Sequence, residues 1–91
     1  APALPATSER WAWYERQTAT TQARARARLE VLDSLCDLLG TGVRKMRAIE
    51  TVVKARRQRT PPMPISASQV HAWMAMVRGV PRHDWEPHLA P

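Results

Sequence analysis

Glycine and proline divide this chain of 91 residues into three segments. The first boundary is the sequence GTG at positions 40–42, and the second is PPMP at positions 61–64. Within the segments, apolar residues recur at spacings of three and four, which is the period of an α-helix. Glycine readily ends a helix, and proline disfavours helical geometry in the residue before it, so helices should stop at both places. The sequence therefore predicts an all-α fold with three helices.

The first segment predicts one long helix over residues 8–39, preceded by an extended arm of residues 1–7 that contains two prolines. Its apolar stripe runs from Trp11 to Leu39, and Gly40 supplies the stop signal. A helix of this length measures roughly 47 Å, whereas a domain of this size has a radius of gyration of only ~12 Å. The helix must therefore either break near the threonines at 18–21 or project beyond its own core.

The second segment predicts a basic helix over residues 42–59, with Thr41 as its N-cap. Because the connection to the first helix is so short, the two helices are expected to form an antiparallel hairpin. The side chains expected in the seam between them are Leu32, Leu35, Leu39, Met46, Ile49 and Val53.

The third segment has the clearest helix signals in the chain. Ser66 and Gln69 have the spacing of a capping box, while Gly79 and Pro81 mark the end. The predicted helix covers residues 66–78, follows a proline-rich link at 61–65 and packs on the hairpin. The tail, residues 79–91, contains one aromatic anchor, Trp85. The chain is therefore predicted to form a single small helical domain.

Net charge is concentrated in the second segment. Residues 1–39 hold five basic and five acidic side chains, residues 40–61 hold seven basic side chains and Glu50, and the remaining residues hold two of each. The formal charge of +6 therefore belongs entirely to the second helix and its flanks. Such a charge attracts polyanions, which are either nucleic acid or an acidic protein surface.

Helical spacing separates the basic side chains of this segment from its apolar ones. Met46, Ile49 and Val53 share one face, and basic residues recur on the other. This basic stripe is roughly 20 Å long, enough to follow a phosphate backbone. The alternative is an ordinary solvated face, against which stands the near absence of balancing acids. The residues predicted to hold phosphates are Arg44, Lys45, Arg47, Lys54, Arg56, Arg57 and Arg59.

Residues 66–89, SASQVHAWMAMVRGVPRHDWEPHL, resemble the recognition-helix half of small Cro and repressor-like helix-turn-helix proteins of phages and mobile elements. Ser66 at the helix start, inward Val70 and Trp73, and the later Leu89 carry this resemblance. It implies a DNA-binding regulator whose 66–78 helix lies in the major groove. The sequence departs from the family in the link before this helix and in its weakly polar outer face. The side chains left to read bases are Ser68, Gln69 and His71.

A second function hypothesis rests on Trp11, Trp13 and Tyr14. If the first helix projects, these aromatic side chains form an exposed apolar patch, which usually marks an interface. The chain would then be an interaction or assembly subunit, or would pair with a second copy as a dimer of modest affinity. Alternatively, the third segment folds back and covers the aromatic end.

Other function classes find little support in the sequence. His71, His83, His88 and Cys36 have no zinc-ligand spacing, and there is no phosphate-binding glycine loop or nucleophile with a nearby base. We therefore expect no enzyme, no catalytic or metal-binding residue and no cofactor. A single cysteine excludes an internal disulfide, and no apolar run is long enough to span a membrane, so a cytoplasmic location is expected.

Overall fold

A computed structural model of the chain describes residues 6–91. All regular secondary structure in this part is helical, which confirms the predicted all-α class. Of the predicted extended arm, residues 1–7, only Ala6 and Thr7 are described, and they begin the first helix. The elements are α1 (Ala6–Glu15), α2 (Ala19–Gly40), α3 (Lys45–Gln58), α4 (Ala67–Met76), a 3-10 turn (Arg82–Asp84) and α5 (Trp85–His88).

The single helix predicted over residues 8–39 is instead two helices, α1 and α2. The chain breaks at residues 16–18, where the threonines of residues 18–21 begin, so the expected alternative of a break near these threonines is the correct one. Thr18 caps α2, because its Oγ1 accepts a hydrogen bond of 3.2 Å from the amide of Thr21. The Gln22 side chain donates to the carbonyl oxygens of Tyr14 and Gln17, at 3.2 Å each, and so satisfies the exposed end of α1. The break is therefore a capped junction.

The chain forms two compact units, of which the first combines residues 6–29 with residues 76–91. Helix α1 packs against α5 in this unit. Polar groups also connect the helices to the tail, since Arg28 donates to the main-chain oxygens of Leu89 at 2.7 Å and Pro91 at 2.6 Å. The buried apolar side chains of this unit are Tyr14, Ala25, Val77, Leu89 and Ala90.

The second unit comprises Glu30–Ala75 and contains the rest of α2, all of α3 and most of α4. Near the end of α3, Arg56 hydrogen-bonds to Ser34 of α2, while the connection between the helices leaves α2 after Gly40. The two helices therefore run antiparallel, as the predicted hairpin requires. The buried apolar side chains are Val31, Leu32, Leu35, Ala48, Ile49, Val52, Val53, Ile65, Val70 and Trp73.

The predicted seam is wrong at Met46, which is 61% exposed, and Leu39 is only half-buried. The buried positions of α3 are Ala48, Ile49, Val52 and Val53, a pattern of adjacent pairs one turn apart. This pattern rotates the buried face away from Met46, which lies in the first turn of α3. Ala48 and Val52 thus extend the buried face on the side of Ile49 and Val53 away from Met46.

The ends of α3 and α4 test the predicted caps. Thr41 does not cap α3, because its hydroxyl donates to the carbonyl of Leu38 at 2.7 Å, and α3 starts only at Lys45. The capping box of α4 is confirmed: the amide of Ser66 donates to Gln69 Oε1 at 2.9 Å, and the amide of Gln69 donates to Ser66 Oγ at 3.3 Å. After α4 the chain turns at Gly79, whose φ of +75° favours glycine.

Candidate nucleic-acid interface

Helix α3 has an apolar face and a polar face on opposite sides. Ala48, Ile49, Val52 and Val53 are buried in the second unit, and they fix which way the helix faces. The centre of the opposite face is occupied by side chains at spacings of four, three and four residues, all exposed: Arg47, Thr51, Lys54 and Gln58. The stripe that the sequence predicts is therefore on the surface because packing turns it outward.

Five cations of this region remain without a partner in the described part of the chain. Arg47 and Lys54 are seven residues apart, so they lie about 10 Å apart along one side of the helix. The other three lie at the two ends of α3, and all five are exposed. None of the five side chains makes a hydrogen bond or ion pair with another residue in 6–91, which leaves the side chains of Arg44, Lys45, Arg47, Lys54 and Arg59 available to an external anion.

Arg56, unlike these five cations, has partners within the chain. Its side chain is only 15% exposed and lies 3.7 Å from the carboxylate of Glu30 on α2. It also donates to Ser34 Oγ at 3.0 Å and to the carbonyl of Glu30 at 3.3 Å. These bonds join α2 to α3, so Arg56 holds the second unit together.

The side chain of Arg57 also forms a hydrogen bond within the chain. Its Nε donates to the carbonyl oxygen of Ile65 at 3.0 Å, and the preceding carbonyl, that of Arg56, accepts from the amide of Met63 at 2.8 Å. Both bonds fasten the proline-rich link to the end of α3. Two of the seven predicted phosphate ligands therefore have partners inside the chain.

One acidic side chain borders the basic face on each side. A surface cavity of about 440 Å³ between α2 and α3 brings Asp37 near Arg59 and Arg56. Glu50, the only acid within α3, is exposed but carries no partner among the described residues. Asp37 therefore reduces the positive potential near Arg59, and Glu50, one helical turn from Arg47 and Lys54, reduces it there.

The predicted base-reading residues all lie on the exposed side of α4. Ser68 and His71 point to solvent, whereas the Gln69 side chain accepts the hydrogen bond of the capping box. Their neighbours on this face include Ala72 and Ala75, which offer no hydrogen bonds. Direct reading of base edges would therefore depend on Ser68 and His71.

The aromatic side chains predicted as a protein interface are largely covered by their own chain. Tyr14 is 3% exposed, and its hydroxyl donates to the carbonyl of Gln22 at 3.1 Å. The indole of Trp11 donates to Asp84 Oδ1 at 3.0 Å and meets the Tyr14 ring edge-on, with 5.8 Å between centroids. Trp13 remains partly exposed. The tail after α4 covers this end, so the premise of a bare aromatic patch is wrong.

The burial of Tyr14 also changes the pKa of its hydroxyl. Removal from water, with a smaller contribution from nearby Glu86, raises the pKa of Tyr14 to about 12. The opposing charge of Arg26, which lies 3.7 Å from Glu86, lowers it slightly. Dimerisation through Trp11 and Tyr14, as the sequence suggests, would need Tyr14 to leave this environment.

Comparison with family models, with curated proteins and with solved structures finds no match to this chain. The resemblance to helix-turn-helix regulators remains a prediction. Within residues 6–91, no three His, Cys, Asp or Glu side chains are placed to share a metal ion. None of the helices in that range combines the length and apolar character needed to cross a bilayer.

Proposed function

We propose that this chain binds nucleic acid and that the outer face of α3 holds the phosphates. The observation that carries the proposal is the set of five exposed cations without an internal partner in the described chain: Arg44, Lys45, Arg47, Lys54 and Arg59. Exposed cations without paired acids make favourable contacts with a polyanion, because they lose no internal ion pair on binding.

The shape of this charged surface favours a phosphate backbone over an acidic protein patch. The cations lie along and at the two ends of one helix of 14 residues, about 20 Å long, with Arg47, Thr51 and Lys54 along the centre of its outer face. A nucleic-acid backbone presents negative charges at regular intervals along such a line, whereas acidic protein surfaces have no fixed spacing. The hydroxyl of Thr51 donates to the carbonyl of Arg47, so it adds no charge to this line.

The contacts should position the chain on nucleic acid more than they specify a sequence. Phosphate contacts carry no base information, and α4 offers only Ser68 and His71 beyond its capping box. We therefore expect weak discrimination between sequences, with affinities typical of non-specific binding, on the order of micromolar and weaker at physiological salt.

The test is fluorescence anisotropy with a mixed-sequence DNA duplex and a matched RNA at low salt. The double variant Arg47→Glu/Lys54→Glu should lose binding almost completely, since it reverses the centre of the face. The control variant, Arg16→Glu/Arg24→Glu, makes the same change in net charge at exposed positions outside α3 and should bind within about threefold of the parent.

The outcomes separate three interpretations. Equal loss of binding in both variants would mean that net charge alone attracts nucleic acid, and the assignment to α3 would be wrong. No binding of the parent chain to DNA or RNA would overturn the proposal. Saturable binding of the parent to a polyglutamate peptide, without binding to nucleic acid, would identify an acidic protein surface as the partner instead.

A further inference from the structure

The first unit contains a cavity that the proposed function does not use. It has a volume of about 570 Å³ and lies between α1 and the residues that follow α4. Sites for small molecules usually measure about 300–1,000 Å³ and combine apolar walls with a few polar groups. The apolar walls here are Trp13, Val80 and Pro81, and the charged or polar lining consists of Glu9, Arg10 and His88.

Arg10 is the polar group that points to a ligand. Its Nε is shielded from solvent and has no hydrogen-bond partner among residues 6–91. Its guanidinium carbon lies 5.4 Å from the centroid of the Trp13 ring, a cation–π distance that holds the side chain at the cavity wall. A shielded, charged donor without an acceptor is rare in folded proteins and needs an explanation.

The charges around Arg10 limit what the cavity can accept. Burial, followed by the charge of Arg10, lowers the pKa of His88, while Asp84 opposes this effect. The imidazole is therefore neutral near pH 7, and the lining holds one positive charge at Arg10 and one negative charge at Glu9. Such a site suits a single negative charge placed at the guanidinium. A phosphate dianion would meet too little positive charge and would be repelled by Glu9.

We propose that this cavity binds a small organic monocarboxylate with a flat apolar body. Its carboxylate is received by the two terminal nitrogens of Arg10, Nη1 and Nη2, since Nε is shielded and this planar pair of donors matches the two oxygens of a carboxylate. Its ring packs on the indole of Trp13 and against Val80 and Pro81. Glu9 stands at the edge of the site and weakens the binding of any anion.

The experiment titrates the full chain, labelled with ¹⁵N, with indole-3-propionate and follows the Trp13 indole and Arg10 Nε resonances by NMR. Both should shift in a saturable manner, while the indole resonance of Trp73 in the second unit stays in place. The neutral amide of the same compound should bind about tenfold more weakly, because it lacks the charge-assisted hydrogen bonds.

Three variants give the proposal a sharper test. Arg10→Gln should abolish the preference for the acid over the amide, and Arg24→Gln, a control at an exposed position of α2, should retain it. Glu9→Gln should tighten binding of the acid by about threefold, by removing a like charge. This gain of affinity cannot arise from a damaged fold, so it remains informative if Arg10→Gln proves unstable.

Several results would overturn the inference. One is an absence of shifts at Trp13 and Arg10 with millimolar probe. Another is equal affinity for acid and amide, which would describe an apolar crevice without an anion site. Weaker binding of the acid by Glu9→Gln would contradict the placement of the carboxylate. None of these measurements depends on nucleic-acid binding, so the cavity and the α3 face stand or fall separately.

Discussion

The aromatic side chains of α1 and the cations on the outer face of α3 differ in whether they have hydrogen-bond or ion-pair partners within their own chain. Trp11 and Tyr14 find partners in the first unit, where Asp84 and the Gln22 carbonyl accept their hydrogen bonds. Arg47 and Lys54 in the second unit find none within residues 6–91. Trp11 and Tyr14 therefore have their polar groups satisfied within their own chain, whereas the side chains of Arg47 and Lys54 are left for an external partner.

The difference shows that an unusual residue cluster marks an interaction surface only if the fold leaves it unsatisfied. Aromatic side chains are amphipathic, and a short tail with one carboxylate is enough to cover them. Cations are neutralised only by acids within reach, and Glu30 of α2 already forms an ion pair with Arg56. Glu50 lies one helical turn from both Arg47 and Lys54 but forms no ion pair with either, so the outer face of α3 keeps a net positive charge.

The largest expected effect is a difference in unfolding free energy between substitutions on the buried and on the exposed side of α3. Ile49→Ala should lower the free energy of unfolding by about 2–5 kcal/mol, because it leaves a cavity in the second unit. Met46→Ala should change it by less than about 0.5 kcal/mol, since Met46 is exposed. Urea denaturation measures both. Similar losses at the two positions would mean that α3 is rotated and that its basic face is not where we place it.

The closure of the aromatic end can be measured through Tyr14, the only tyrosine. The absorbance of its phenolate should titrate near pH 12, because burial raises its pKa from the usual 10.0 to about 12. The folded state then holds this proton more tightly than the unfolded state. The resulting stability is complete below pH 10 and is lost between about pH 10 and 12, by roughly 2–3 kcal/mol in all.

The titration has an internal control. In concentrated urea the midpoint should return to about pH 10, the value of an exposed tyrosine. A midpoint near pH 10 in the folded protein would show that Tyr14 is exposed, and the interface hypothesis for the aromatic end would regain its basis.

A smaller difference in unfolding free energy is expected between substitutions of Arg56 and of Lys54, two cations of α3. Arg56→Ala should cost about 1–3 kcal/mol of unfolding free energy, because it removes the hydrogen bond to Ser34 and leaves Glu30 unpaired. Lys54→Ala should cost less than about 0.5 kcal/mol. Affinity for DNA should respond in the opposite order. If Arg56→Ala weakens binding more than Lys54→Ala without loss of stability, Arg56 contacts phosphate and its inward role is wrong.

The smallest expected effect is the change in stability caused by a substitution of Trp11. Trp11→Phe keeps an aromatic ring beside Tyr14 but removes the indole donor to Asp84, at an expected cost of about 1 kcal/mol. Because Trp11 makes its contacts with Tyr14 and Asp84 of the same chain, the sedimentation coefficient should not depend on protein concentration over a wide range. A concentration-dependent sedimentation coefficient that Trp11→Phe abolishes would place Trp11 in a dimer contact.

The local features of the fold could be predicted because each has a short-range cause. The capping box of Ser66 and Gln69, the turn at Gly79 and the ends of the helices at glycine and proline all depend on residues a few positions apart. The antiparallel order of α2 and α3 follows from a connection too short for any other arrangement. The outward position of Arg47 and Lys54 follows from helical period and charge.

The features that were missed depend on contacts between distant positions. The bond from Trp11 to Asp84 spans 73 residues, and no local pattern indicates it. The bond from Arg56 to Ser34 spans 22, so in the sequence Arg56 looks like any other cation of the basic run. Met46 was misplaced for a related reason, since helical period gives a stripe but small Ala48 decides which side of it packs.

The salt dependence of binding tests the central claim most directly. Dissociation constants of the parent chain and of Lys54→Ala for one DNA duplex should be measured over a range of ionic strength. With four to five phosphate contacts, the parent should give a log–log slope of about −4, and Lys54→Ala should lower its magnitude by about 1. A parent slope near zero, or an unchanged slope in Lys54→Ala, would contradict phosphate binding by the outer face of α3.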